Sequence, residues 1–251
     1  MCRVATVLVD AGRKYRQEAF QHRESRLKSL CTLIEVLACM KLMRIEVLLL
    51  PAGFFCTPTE AHVGELASRV ASAILLLQPR FTVALGIDGA ADHFSRGPSG
   101  YPSFVYVLPP EQKDNRVFQQ LSLYASQDKI ATDSWGNRSA TFAEGDVGLL
   151  ICGECWSDGL LKKLDAARPR VLLIPAHFNV NLITDPDNGF SKLSWHLRLH
   201  DFQERTSIPV ILAEHTRSAV RRNHHWGAKQ AKILPLPADL NRLFTVKLVE
   251  V

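Results

Sequence analysis

The sequence of 251 residues contains no uninterrupted run of 18 or more apolar residues. A helix needs about 20 such residues to cross the hydrocarbon core of a bilayer, so the sequence predicts no membrane-spanning helix. The first ten residues also lack the long apolar segment and the small-residue cleavage site of a secretory signal peptide. We therefore expect a cytoplasmic protein with no membrane partner.

Cysteine is too sparse for a disulfide framework. Small secreted domains place even numbers of cysteines at close spacings, whereas a chain of this length can bury a full core without covalent cross-links. We therefore expect the thiols to be reduced. The six cysteines stand at positions 2, 31, 39, 56, 152 and 155.

A strong excess of positive charge is also absent. Thirty Lys and Arg residues against 25 Asp and Glu residues give a net charge of +5, and the cations are scattered. Nucleic-acid-binding proteins concentrate such charge on one face, so no nucleic-acid partner is expected, and the basic cluster at 217–225 is interpreted as a solvated loop. No linker-like tract or short repeat divides the chain, which predicts one domain over residues 1–251.

Short apolar runs alternate with segments of helical periodicity, and this alternation predicts an α/β fold with helices packed outside a sheet. Paired strand-like runs at 81–108 and 231–251, with no helix between them, favour a mixed sheet. Helices are predicted at 21–43, 59–77 (capped by Thr57 or Thr59), 159–167 and 193–206. Strands are predicted at 3–10, 45–50, 81–87, 103–108, 147–152, 171–175, 210–214, 231–236 and 243–251.

Cys152 is the most informative residue of the sequence. It stands where an apolar strand meets a glycine-containing turn and then a helix, in Val-Gly-Leu-Leu-Ile-Cys152-Gly-Glu-Cys-Trp. Such a turn exposes a side chain at the carboxyl edge of a sheet, beside backbone N–H groups that stabilise a thiolate. This placement suits a nucleophile.

Two other interpretations of Cys152 stay open at this point. In the first, Cys152 is simply a small apolar residue at the end of a strand. Cys152 and Cys155 form a Cys-x-x-Cys pair, which redox dithiols and zinc sites use. No second such pair exists in the sequence, so the redox and zinc interpretations are the weaker ones.

The order of five segments resembles the nitrilase superfamily, the carbon–nitrogen hydrolases, over nearly the whole chain. That resemblance implies a four-layer α-β-β-α sandwich, commonly paired into homodimers across the helices near the nucleophile. The segments are 44–55 with Leu-Leu-Leu-Pro-Ala-Gly, 148–154 with Ile-Cys-Gly-Glu, 170–178 with Ile-Pro-Ala-His-Phe, 195–214 as a helix and strand, and 227–251 as a closing hairpin.

The resemblance also implies a Glu-Lys-Cys triad, in which cysteine attacks the substrate, glutamate transfers protons and lysine stabilises the tetrahedral intermediate. Cys152 matches the nucleophile. Ala52 stands where the glutamate of Pro-Glu is expected, and alanine cannot transfer a proton. The lysine position falls on Gln120, which we favour, or on Lys129 with a shorter loop.

Loss of the glutamate would require another group to carry the proton. Glu154, His177 and Lys129 are candidates for supporting catalytic roles. Glu154 lies two residues after the cysteine, His177 ends the next strand and should lie near the same pocket, and Lys129 flanks Gln120. The simpler interpretations are that Glu154 holds the turn and that His177 ends a strand with a hydrogen bond to backbone. The residues expected to line the substrate pocket are Ala52, Phe54, Gln120, Gly153 and Phe178.

Two functions from different classes follow. The first is a carbon–nitrogen hydrolase that acts on a small amide or nitrile through Cys152, with a rewired triad. The second is a catalytically inactive protein of the same fold that binds a ligand or a protein partner, and a fold alone does not decide between them. No metal ion or organic cofactor is expected in either case.

Overall fold

A computed structural model describes residues 2–10, 15–89, 103–110, 115–120, 139–142, 145–177, 192–215 and 225–251. Six α-helices lie in these ranges, together with one-turn 3₁₀ helices at Lys41–Met43, Glu60–His62 and Cys152–Trp156. None of the helices in the described ranges has the length and apolar character needed to span a bilayer. The α-helices are α1 (Tyr15–Gln21), α2 (Arg23–Cys39), α3 (Val63–Leu77), α4 (Asp158–Ala167), α5 (Lys192–Thr206) and α6 (Ala238–Asn241).

The described ranges also contain thirteen strands. They are β1 (Arg3–Val9), β2 (Val47–Leu49), β3 (Phe55–Cys56), β4 (Thr82–Asp88), β5 (Ser103–Leu108), β6 (Arg116–Gln119), β7 (Ser139–Phe142), β8 (Gly145–Leu149), β9 (Val171–Pro175), β10 (Val210–His215), β11 (His225–Trp226), β12 (Gln230–Ile233) and β13 (Phe244–Glu250).

The strands form two mixed sheets that meet at the ends of β1 and β10. The first sheet runs β6-β5-β4-β2-β1, with β13 antiparallel to β1, and the second runs β10-β9-β8-β7. Strands β2, β4 and β1 are mutually parallel in the first sheet, as β8, β9 and β10 are in the second. The sheets join where Leu8 pairs with Glu214 and Val9 with His215.

Successive residues along each strand face opposite sides of the sheet. The result is three apolar cores that lie between four structural layers, two of helices and two of sheet. Leu48 of β2 packs in the core that α2 and α3 cover, whereas its neighbour Leu49 packs in the core between the sheets. In the second sheet, Leu172 of β9 packs in the core that α4 and α5 cover, and Leu173 faces the first sheet. This period of two residues is what a strand buried on both faces requires. The fold is therefore the predicted four-layer α-β-β-α sandwich.

Several element boundaries differ from those predicted. The helix predicted at 21–43 ends earlier than predicted, because α2 stops at Cys39, Met40 leaves the helical region, and the 3₁₀ turn that follows ends at Arg44, which is left-handed with φ of 44°. The preceding helix α1 was not predicted. The helix predicted at 59–77 starts as a 3₁₀ turn and has no threonine cap. The Thr57 hydroxyl instead donates to the carbonyl oxygens of Thr59 and Asp88. The closing strands are shorter than predicted, and α6 lies between them.

Candidate active site

Cys152 follows β8 and lies in a strained turn between a strand and a helix. It has a φ of 49°, in the left-handed region that residues other than glycine rarely adopt. Its side chain is 4% exposed and belongs to the core between the two sheets. Strained backbone at the end of a buried strand is characteristic of residues held for function, and sharp strand-to-helix turns present the nucleophile in α/β-hydrolases.

Glu154 stabilises this turn. Its fully buried carboxylate accepts a 2.8 Å hydrogen bond from the backbone N–H of Ile151. The backbone N–H of Glu154 in turn donates to the Ile151 carbonyl, so the 3₁₀ helix that carries Cys152 and Gly153 is closed from both directions. The turn-holding interpretation of Glu154 thus has a direct structural basis.

His177 lies two residues beyond β9 and is bonded to side chains of the opposite sheet. Its Nε2 donates to Asp88 Oδ1 at 2.9 Å and lies 3.3 Å from Ser103 Oγ. The expectation of a histidine bonded to backbone is therefore wrong. Asp88 ends β4 and Ser103 begins β5, and the two residues are register partners in the sheet. All three side chains are buried.

Cys152 also interacts with the His177 imidazole. Burial taken alone lowers the pKa of His177, but the charges of Asp88 and Cys152 and the hydrogen bonds of both groups to the ring raise this pKa from 6.5 to about 9. The raised pKa favours the imidazolium at neutral pH, and the ring is hydrogen-bonded to the Asp88 carboxylate. A cysteine paired with a histidine, and a third group that orients the histidine, are the parts of an activated nucleophile.

Ala52 contributes its backbone to the site. Its carbonyl oxygen accepts a 3.0 Å hydrogen bond from Nε2 of His215, at the end of β10. Gly53 follows with a φ of +63°, and a Cβ on it would lie 2.7 Å from Asp88 Oδ2 and 3.2 Å from His177 Cδ2. The Asp88 carboxylate therefore lies directly beside the segment where a glutamate was expected from the resemblance.

His215 is a second buried histidine in the same region. Burial, followed by the positive charges of Arg26 and His177, lowers the pKa of His215 well below 6.5. The neutral ring donates to Ala52 and holds the 52–53 turn in place. Its role is consequently different from that of the cationic His177.

The other residues predicted to line the pocket fall in different places. Gln120 follows β6, is 1% exposed, and its backbone N–H donates to the Ser103 carbonyl at 2.8 Å, which places it beside Ser103, with β5 between it and Asp88. Phe54 packs with Phe55 and Phe244 in the core between helices and sheet, whereas Cys152 lies between the sheets. Lys129 and Phe178 lie outside the described residues.

The sequence did not lead us to predict three of the site residues, which are Asp88, Ser103 and His215. A signal for two of them was nevertheless present. Asp88 directly follows the apolar run 81–87, and His215 directly follows the run 210–214. Cys152 and His177 stand in the same relation to their strands. Because parallel strands place their carboxyl ends at one edge of a sheet, polar residues at those ends converge.

Metal and redox chemistry receive no support from the geometry of the described ranges. No group of three or more His, Cys, Asp or Glu side chains there is arranged to hold a metal ion. Cys155 is completely buried, and burial strongly raises the pKa of its thiol. A thiol in that environment is a poor redox partner, since exchange requires an accessible thiolate.

Comparison with known proteins supports the architecture through structure alone, because no family model and no curated protein sequence matches. An amidase from Nesterenkonia sp. superposes with a TM-score of 0.54 at 15% identity, covering 85% of this chain and 76% of the amidase. A variant of an amidase from Nesterenkonia AN1, described as of the nitrilase superfamily, gives the same values.

Two further solved structures share the fold. A carbon–nitrogen hydrolase from Helicobacter pylori G27 superposes with a TM-score of 0.56 at 12% identity, covering 85% of this chain and 72% of the hydrolase. A glutamine-dependent NAD+ synthetase from Acinetobacter baumannii gives a TM-score of 0.57 at 11% identity, covering 85% of this chain and 38% of the synthetase.

Proposed function

We propose that this chain, which has the fold of the nitrilase superfamily, hydrolyses the carbon–nitrogen bond of a small amide through Cys152. Nitriles are the second substrate class. The observation that carries the proposal is the placement of Cys152, at a strained turn after β8, and of His177, after the adjacent parallel strand β9, with the His177 ring bonded to Asp88. The structural neighbours include amidases and a carbon–nitrogen hydrolase, which is consistent with this chemistry.

In the proposed reaction, the reacting form already carries its proton on His177, and the Cys152 thiolate forms a bond to the amide carbon. The carbonyl oxygen becomes an oxyanion. When the tetrahedral intermediate collapses, the C–N bond breaks, and the leaving nitrogen takes the proton from His177, which releases ammonia or an amine. Water then gives a proton to the neutral His177 and attacks the thioester, the C–S bond breaks, and a carboxylic acid leaves with the thiolate and the imidazolium restored.

The remaining predicted residues have supporting roles in this proposal. The backbone N–H of Gly153 stands at the first turn of a helix, where donors are available for an oxyanion. Gln120 replaces the family's lysine as a neutral donor, and Lys129 is the alternative cation for that position. Ala52 and Phe178 shape the pocket, Phe54 packs in the other core and takes no part in it, and Glu154 holds the nucleophile turn.

Ammonia release from a panel of small aliphatic and aromatic amides and nitriles tests the proposal. We expect turnover of at least one amide, and its loss in Cys152→Ala. The matched control is Cys39→Ala, which removes an exposed thiol far from the site in sequence and should keep wild-type turnover. Equal ammonia release by wild type and Cys152→Ala would overturn the proposal.

The second candidate function is ligand or partner binding without turnover. The observation that favours it is the lack of a carboxylate at Ala52, together with an amide in place of a cation at Gln120. It predicts that an amide-containing ligand stabilises wild type and Cys152→Ala equally in thermal unfolding, with no product in either sample. Under both functions we propose that the chain is one domain, that the protein is cytoplasmic and that it forms homodimers. Sedimentation velocity would measure the oligomeric state.

A further inference from the structure

We infer that Asp88 is the positioning carboxylate of the Cys152–His177 pair, so that Asp88 and His177 together replace the glutamate that is missing at position 52. The inference deepens the proposed function and rests on it for the reaction. The arrangement itself, a sulfur, an imidazole and a carboxylate in sequence, has consequences that can be measured without any substrate.

The geometry of Asp88 is that of an orienting group. Its Oδ1 accepts from His177 Nε2 at 2.9 Å, and the two side chains are 3% and 4% exposed. Its own backbone is fixed, because the Asp88 carbonyl accepts from the N–H of Thr57 at 2.8 Å and from the Thr57 hydroxyl at 3.2 Å. Ser103 Oγ lies 3.3 Å from the same imidazole nitrogen and limits rotation of the ring.

The backbone at 52–53 provides the space that this pair occupies. Gly53 adopts a φ of +63°, and any Cβ there would overlap the Asp88 carboxylate at 2.7 Å. His215 holds the adjoining Ala52 carbonyl. The segment that carries the glutamate in related sequences is therefore shaped around a carboxylate and an imidazole that come from other strands.

The charges around His177 balance within the described residues. Asp88 faces the ring from β4, Cys152 faces it from the turn after β8, and His215 approaches from β10 with a neutral ring. Arg26, whose charge acts on His215, donates instead to the Phe54 carbonyl at 2.7 Å. A buried imidazolium is costly unless it is paired, and the Asp88 carboxylate is bonded to it at 2.9 Å.

In the reaction, Asp88 keeps its charge and transfers no proton. Its hydrogen bond holds the imidazole beside the Cys152 sulfur, and its charge stabilises the imidazolium, which is the form that protonates the leaving nitrogen. Removal of the charge should therefore change the pH dependence of Cys152 reactivity as well as its magnitude. A purely structural residue would not alter that dependence.

The test measures the rate of Cys152 alkylation by iodoacetamide between pH 5 and 10, with the modified residue assigned by mass spectrometry. In Asp88→Asn, which keeps the shape and removes the charge, we expect the rise in rate to move to higher pH by about one unit or more, with about a tenfold lower rate at pH 7. Asp88→Glu should recover part of the wild-type profile. Asp239→Asn, on exposed α6, is the matched control and should leave the profile unchanged.

A second measurement uses the unaltered protein, in case an Asp88 variant fails to fold. The ¹³Cε1 shift of His177 should report an imidazolium at pH 7.5. A neutral His177 at that pH, or a wild-type alkylation profile in folded Asp88→Asn, would overturn the inference. If the profile shifts but no amide is hydrolysed by the wild type, the positioning role stands and the proposed hydrolase fails.

Discussion

The carboxylate of Asp88 accepts a 2.9 Å hydrogen bond from Nε2 of His177, although 89 residues separate the two in the sequence. Asp88 ends a strand of the first sheet, and His177 follows a strand of the second. The bond therefore links the two sheets at the edge where Cys152 lies, and it makes one chemical unit from three separate segments.

Replacement of His177 by asparagine should abolish the reactivity of Cys152 at neutral pH. Loss of a general base costs about 10²–10⁴ in rate, so ammonia release should fall by at least about a hundredfold while the fold is retained. The measurement is ammonia release together with iodoacetamide labelling. His200→Asn, a half-exposed histidine on α5, is the control. Unchanged labelling in His177→Asn would contradict a role for the ring.

The raised pKa of His177 predicts a pH-dependent contribution to stability. The folded state binds this proton more tightly than the unfolded state, since the pKa rises from 6.5 to about 9. The contribution is therefore fully present below about pH 6.5 and is lost as the pH rises through 9. Urea unfolding at pH 6, 7.5 and 9.5 should show this loss in wild type and a smaller one in His177→Asn. An equal loss of unfolding free energy between pH 6 and 9.5 in both proteins would contradict the raised pKa of His177.

His215 should have the opposite effect. Its pKa is lowered well below 6.5, by burial first and then by Arg26 and His177. Its contribution to stability is therefore present above about pH 6.5 and is lost as the pH falls below that value. We expect His215→Gln to be less stable than wild type at pH 7.5 and to lose less of its unfolding free energy between pH 6.5 and 5. A steeper acid loss in the variant would refute this assignment.

Glu154 should matter more for folding than for proton transfer. Its carboxylate satisfies the buried N–H of Ile151, so Glu154→Ala should lower the unfolding free energy by about 1–3 kcal/mol. Glu154→Gln keeps an acceptor oxygen and should retain most of that stability and the pH profile of labelling. Denaturant unfolding of both variants measures the difference. Loss of labelling in a stable Glu154→Gln would instead indicate a proton-transfer role.

Gly53→Ala should disturb the site through space and backbone together. The added Cβ would overlap Asp88 Oδ2 at 2.7 Å, and a φ of +63° costs alanine about 1–2 kcal/mol. We expect lower stability and slower labelling of Cys152. Gly64→Ala is the matched control, because no atom lies within 4 Å of its Cβ position at the start of α3, where alanine should stabilise by up to about 1 kcal/mol. Similar effects of both substitutions would disprove the steric argument.

Local patterns in the sequence were sufficient for most of the architecture. Residues 103–108 and 171–175 were predicted as strands with the bounds that the structure shows, because apolar β-branched runs bounded by turn residues have few alternatives. The turn at Cys152, after the strand, was recognisable for the same reason. The short strands β3 and β11, each of two residues, carry too little periodicity to be predicted.

His177 was a candidate from the sequence, but its hydrogen-bond partners Asp88 and Ser103 could not be identified in this way. Asp88 and Ser103 are ordinary polar residues at strand ends, and their meeting with His177 depends on how the two sheets face each other. Hydrophobic periodicity specifies which face of each strand is buried, and it carries no information about which strand ends become neighbours across the sandwich. Long-range packing of the sheets supplied that arrangement, on which the proposed roles of Asp88 and His177 rest.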